Sequence, residues 1–189
     1  MTDAGIVSTQ TSNGWIASID PRDATGALAE AYQSQVEKIG WVTELTQIGS
    51  LYPDLVAARL RLYAVVDATP SDVPDHVRRA VALLTSVLNG CLFCTVGHTE
   101  KLTEAGHGQL AQAIKDDPEG AATGDARTDA ALVYARKLVT DPRHITEADV
   151  TALREAGFSD LDILDINNIS AYYCYINRVA AGLGLQREA

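Results

Sequence analysis

Apolar residues recur along this chain at the three- and four-residue spacing of helices rather than in strict alternation. Leu28, Tyr32, Val36 and Ile39 form one such stripe, with Asp23 ahead of it as a cap and Gly40 behind it as a stop. Residues 43–49 have room for a short helix. Pro53 suits a first helical turn, and Leu55, Leu60, Leu62, Tyr63 and Val66 carry the pattern towards Thr69-Pro70. A helix capped within the stretch Ser71 to Asp75 bears Val77, Val81, Leu84 and Leu88 and stops at Asn89-Gly90. Another begins with the Cys91 segment and reaches Ala105-Gly106, with a short piece over 108–115 after it. Gly, Pro, Asp and Thr without periodicity make 116–126 the longest internal loop. A helix over 127–140 breaks at Asp141-Pro142, and Thr146 with Asp149 forms a capping box for one ending at Gly157. The last and longest starts at Ser159 and passes through Ile163, Ile166, Ile169, Tyr173, Ile176 and Val179 to Gly182. It is apolar around most of its circumference, which places it at the centre of the fold or at a subunit interface.

Strand signals are nearly absent. Aromatics are 6% of the chain, and Asn13-Gly14 and Asn89-Gly90 lack the alternating flanks of a hairpin. The expectation is an all-α bundle of about seven to nine helices, with a single domain over residues 21–186. Residues 1–20, rich in Ser, Thr and Gly, read as a loose arm anchored through Trp15 and Ile16. The 189 residues, 47% of them apolar, are enough to bury a sizeable core.

Charge narrows the function classes. The net charge of −10 and the lack of any Lys/Arg cluster disfavour nucleic acid as a partner. No apolar run reaches the roughly 18 residues of a membrane span. The segment Met1-Thr2-Asp3-Ala4-Gly5 has no signal-peptide character, so a cytoplasmic setting is expected.

Three cysteines are too few for a disulfide scaffold, and in a reducing compartment paired thiols more often do redox chemistry or bind metal. Cys91 and Cys94 form a Cys-x-x-Cys, and His98 follows one turn later. At about 100° per residue the three fall near 0°, 300° and 340°, on one narrow face of a helix. Two thiols so spaced can close a disulfide, and the imidazole can accept or return a proton. Free N–H groups after Gly90 favour a thiolate. One sulfur then attacks a peroxide or a disulfide, and the other resolves the product as Cys91–Cys94.

Blander readings stand beside this one. The two cysteines could be ordinary core residues. Zinc needs about four ligands, and no second Cys/His pair is spaced to supply them. Thr95 stands where a c-type haem site needs histidine. Cys174, in an apolar run, reads as a buried inert thiol, and His76, His107 and His144 read as isolated surface or cap residues. No metal or other cofactor is called for.

The run Asn89-Gly90-Cys91-Leu92-Phe93-Cys94-Thr95-Val96-Gly97-His98, after an apolar helix, resembles the alkylhydroperoxidase (AhpD-like) family, the carboxymuconolactone decarboxylase superfamily. The stretch Asp23 to Tyr32 resembles the opening helix of its peroxidase-related branch, and Thr146 to Asp160 and Ala171 to Gly184 resemble its tail. The likeness covers about residues 20–186. It implies an AhpD-like helical fold, a homo-oligomer (dimer, trimer or hexamer), and thiol-dependent reduction of hydroperoxides with an external thiol reductant. Position by position it makes Cys94 the attacking thiol, Cys91 the resolving one, and His98 part of the proton relay.

Two positions depart from the family pattern. Where a relay glutamate is expected, twelve residues before the first cysteine, stands Arg79; before the second cysteine stands Phe93 in place of His or Tyr. A guanidinium remains protonated and cannot be a base, though it could stabilise a thiolate. Glu37, Glu44, Tyr172, Tyr173 and Tyr175 are alternative relay members. The expected function is thus a dithiol hydroperoxide reductase or related thiol–disulfide oxidoreductase. A noncatalytic or redox-sensing oligomer is the alternative, and decarboxylase-like lactone chemistry comes third.

Overall fold

Glycines with positive φ mark where the helices end. In the computed structural model, which describes residues 14–185, Gly40, Gly90, Gly106 and Gly157 all lie at such ends, with φ between 67° and 90°. Nine α-helices and no strands occur among the described residues, as the periodicity predicts. Of the expected arm, residues 1–13 lie outside the described residues, as does residue 186. The described chain divides into two compact units, residues 14–65 with 182–185, and residues 66–181.

The first unit holds α1 (Gly26–Ile39), α2 (Glu44–Gln47) and most of α3 (Pro53–Asp67). Its core is Leu28, Ala31, Tyr32, Ile48 and Val56. Asp23 does not cap α1. It belongs to a 3-10 turn, Pro21–Asp23, capped by Asp20, and Thr25 occupies the N-cap position of α1. Trp15 is tied down through its backbone, its N–H donating to Leu183 O at 2.8 Å, while its side chain is exposed. The sequence stripe of α3 does not match its buried face. Val56 and Arg59 point inward, Arg59 donating to Thr46 Oγ1 at 2.8 Å, whereas Leu55, Leu62 and Val65 are exposed. Periodicity locates a helix but not which neighbour it meets.

The second unit holds α4 (Asp75–Leu88), α5 (Leu92–Glu104), α6 (Gly108–Asp116), α7 (Ala126–Thr140), α8 (Glu147–Glu155) and α9 (Asp160–Gly182). Its central helix is α4. Val77, Ala80, Val81, Ala82, Leu83, Leu84, Thr85 and Ser86 are all buried, and α5, α6 and α7 pack around it. The small residues among them let neighbouring helices approach closely. A Leu84→Ala change in such a core costs roughly 2–5 kcal/mol.

By contrast α9 buries one face only; Leu161, Leu164 and Tyr175 are exposed. Its buried face carries Asp162, Asp165, Ser170 and Asn177 among the apolar residues. These meet the α4 segment in sequence order. The N-cap of α4 is Pro74, inside the stretch expected to cap it; Ser71 Oγ donates to Asp165 at 2.5 Å, and Arg78 pairs with the same carboxylate at 3.1 Å. Thr85 and Ser170 hydroxyls lie 3.2 Å apart, and Asn177 Nδ2 donates to Ser86 Oγ at 3.1 Å. The sequence offsets of these α4 to α9 pairs stay between 85 and 91, so α9 runs alongside α4 in the same direction. The capping box of α8 forms as expected from Thr146 and Asp149. No helix among the described residues is long and apolar enough to cross a membrane.

Candidate active site

The turn between α4 and α5 sets the site. Asn89 is the C-cap, Gly90 takes φ +67°, and the chain makes a Schellman closure: Gly90 N–H donates to Val87 O at 2.9 Å and Cys91 N–H to Ser86 O at 3.0 Å. Only glycine adopts that left-handed conformation without strain. The closure leaves Cys91 as N-cap of α5, with extended φ and ψ, rather than inside the helix. Cys94 is then the third helical residue, whose backbone N–H is one of those an N-cap side chain ordinarily satisfies.

Both thiols are free and buried, Cys91 with 2% and Cys94 with 6% of its surface exposed. The structure brings them together. A hydrogen bond from Cys94 lowers the Cys91 pKa from 9.0 to about 7, against the opposing effect of burial, with help from the Cys94 backbone N–H and the Asn177 side chain. The same contact raises Cys94, and burial adds to the rise. The shared contact thus favours a thiolate at Cys91 and a retained proton at Cys94.

His98 is buried on α5, one turn beyond Cys94, with Tyr173 of α9 set edge-on against it at 4.4 Å between ring centroids. Burial, reinforced by Lys101 and Arg79, pushes its pKa from 6.5 down to about 3. A neutral imidazole at physiological pH can accept a hydrogen bond through its bare ring nitrogen but supplies no positive charge to a thiolate.

Arg79 Nε pairs with Asp75 at 2.5 Å one turn earlier on α4, and its charge is felt at His98. The influences acting on the two sulfurs are burial, each other and Asn177. Among the alternative relay residues, Tyr173 faces His98, Tyr172 lies edge-on to Tyr173, and Tyr175 is exposed. Glu37 and Glu44 belong to the 14–65 unit.

Other expectations need correction. Cys174 is half-buried, not sealed in the core, and accepts a hydrogen bond from Asn89 Nδ2 at 3.5 Å. His76 and His107 are not isolated. Their rings stack at 4.6 Å, brought together across 31 residues where α4 meets the start of α6. His144 is exposed, as a surface residue should be, and pairs with Asp141 at 2.6 Å. The residue that sequence reasoning passed over is Asn177 of α9, which hydrogen-bonds Ser86 and Asn89 at the end of α4 just before the dithiol and favours the charged form of both sulfurs. Its signal was a polar side chain at a core position of an apolar helix. No group of three or more His, Cys, Asp or Glu side chains gathers as a metal site among the described residues.

Residues 53–114, from α3 through α6 and including the Cys-x-x-Cys, match the family model of the carboxymuconolactone decarboxylase family. The fold is shared with a peroxidase-related protein from Ralstonia eutropha JMP134, described as an alkylhydroperoxidase AhpD core. That match has 24% identity and a TM-score of 0.82, over 94% of each chain. A peroxidase-related protein from Silicibacter sp. TM1040 is 25% identical with a TM-score of 0.79, over 97% of this chain and 96% of that one. The fold is AhpD-like, and residues 53–114 carry the carboxymuconolactone decarboxylase family pattern. The AhpD-like fold also occurs in the debrominase Bmp8, at 22% identity and a TM-score of 0.74 over 91% of each chain. More than one chemistry is thus named on it, and a reaction has to be argued from the site. No curated protein matches the chain.

Proposed function

We propose that this AhpD-like protein is a dithiol oxidoreductase that reduces hydroperoxides, using Cys91 and Cys94 as its redox pair. The observation that carries the reading is the pair of free, buried thiols set together at the start of α5, whose mutual contact draws the Cys91 pKa down. An inert pair of core cysteines has no reason to be so polarised.

The resemblance gives the attack to Cys94. As Cys94 sulfur bonds to a peroxide oxygen, its proton passes along the existing contact to the Cys91 thiolate, which acts as the base that Arg79 cannot be. The O–O bond breaks, the alkoxide leaves and is protonated to the alcohol, and Cys94 becomes a sulfenic acid. Cys91 then attacks that sulfur, forming the Cys91–Cys94 bond and releasing water. The sum is hydroperoxide plus two thiols giving alcohol, water and a disulfide. An external thiol reductant restores the pair. His98, neutral and buried, is the further member of the relay. A homo-oligomer in the cytoplasm, where a thiol pool is at hand, completes the proposal.

The burial of both cysteines favours a second reading, a redox sensor oxidised once and only slowly returned. Continuous turnover separates the two. Cumene hydroperoxide added with excess dithiothreitol should be consumed catalytically by the wild type, and Cys91→Ser and Cys94→Ser should each lose that turnover. A wild type that oxidises once and stops is a sensor. Turnover that survives both substitutions removes the dithiol from the mechanism.

A further inference from the structure

The apolar positions that α3 leaves uncovered fall in a line. Leu55, Ala58, Leu62 and Val65 are all exposed, and they follow one another by three, four and three residues. At about 100° per residue they occupy an arc of about 80°, the kind of narrow seam along which two helices pack. Just ahead of the helix, Leu51 and Tyr52 are exposed as well. A chain that works alone rarely leaves so much contiguous apolar surface in water. The buried Val56 and Arg59 lie to one side of the seam. Asp54 and Arg61 flank it on the other. Both are exposed, and neither forms an ion pair among the described residues. Seven residues separate them, about 10 Å along the helix, which is too far for them to neutralise each other.

This charge pattern selects the occupant and its direction. A second α3 laid antiparallel on the first, about a two-fold axis near Val56 and Ala57, sets Leu55 against the partner's Ala58, a large side chain against a small one. In that register Asp54 lies level with the partner's Arg61, and the symmetry repeats both contacts. A parallel pair gives neither charge a partner, because each flank would then face the edge where Arg59 is already turned inward to Thr46. Anionic lipid fits poorly, since Arg61 is the one exposed cation along this face in a chain of net charge −10. We propose that two copies of this chain associate through α3, antiparallel and two-fold, with Leu55, Ala58, Leu62 and Val65 as the apolar seam and Asp54 paired to the partner's Arg61. The inference rests on the homo-oligomer included in the reading above and supplies its surface.

The test is sedimentation of the reduced full chain at low salt over a range of concentrations. The wild type should sediment as an even number of chains, and Leu62→Asp, at an exposed position, should halve that mass. Asp54→Arg and Arg61→Asp each set like charges against one another twice, and each should weaken the association about tenfold, while the double swap should return it to within about threefold of wild type. The swap also keeps the question answerable if Leu62→Asp fails to fold. Wild-type mass in a Leu62→Asp variant of wild-type helicity would overturn the proposal and leave the homo-oligomer standing on another surface. A double swap as weak as the single variants would overturn the antiparallel register. A trimer, which two-fold pairing of every chain cannot build, would overturn the proposal alone. A wild type monomeric at every concentration would remove the homo-oligomer reading and the proposal with it.

Discussion

Acid should destabilise this protein through His98. The imidazole has a folded pKa of about 3 against 6.5 when unfolded, so between those values the unfolded chain binds a proton that the native state refuses. Stability must then fall as pH drops through that window, with nothing lost above 6.5 and no further loss from this group below about 3. The slope approaches about 1.4 kcal/mol per pH unit, and between pH 7.5 and 4.5 the loss comes to roughly 2.7 kcal/mol. That is a sizeable part of the roughly 5–15 kcal/mol that holds an ordinary domain folded. Carboxylates titrate in the same range, so the wild type alone does not isolate the effect. His98→Phe keeps a ring against Tyr173 and removes the titrating group. Urea unfolding of both proteins at several pH values gives the difference in stability at each. That difference should shift by about 2.7 kcal/mol against the wild type between pH 7.5 and 4.5, or about 1–2 M in midpoint for an m-value of ordinary size. A difference constant to within about 0.5 kcal/mol would show that His98 is solvated or already charged, and the relay role would go with it.

The Cys91 alkylation rate should rise about tenfold per pH unit up to a midpoint near 7 and level off above it, whereas a midpoint near 9 would mean an unactivated thiol. Gly90→Ala meets no steric obstacle, since nothing lies within 4 Å of the added Cβ, yet its φ of +67° should cost about 1–2 kcal/mol by thermal or urea unfolding. A neutral result there would contradict the strained turn that seats Cys91. Trapping with dimedone during oxidation should label Cys94; label on Cys91 would reverse the two roles.

Helix boundaries were open to sequence reasoning because local chemistry makes them. Gly40, Gly90 and Gly157 supply left-handed ends, and Thr146 with Asp149 closes its own cap, so no tertiary information was needed. Which helix lies at the centre was not open to it. The hydrophobic stripe of α4 hid the burial of Ala80, Ala82, Thr85 and Ser86, while the apolar length of α9 concealed an interior edge built from Asp162, Asp165, Ser170 and Asn177. Asp162 shows what such a position requires. Burial alone would raise its pKa, yet hydrogen bonds from Ser159 and the Asp72 N–H, with Arg127 nearby, hold it below its ordinary value.

The site divides along the same line. Cys91, Cys94 and His98 lie within one turn or two of each other, and helical spacing alone puts them on a common element. Cys91 falls at the N-cap, which follows from the Schellman closure at Gly90 rather than from an uninterrupted helix. Asn177 and the His76–His107 stack join residues distant in the chain, and no local pattern announces either pairing.

The most direct measurement is a map of thiols after one equivalent of cumene hydroperoxide on the reduced protein without added reductant. The account predicts one Cys91–Cys94 disulfide per chain, Cys174 still alkylatable, and one equivalent of cumyl alcohol. Cys91 and Cys94 both recovered as free thiols with the hydroperoxide intact would contradict it.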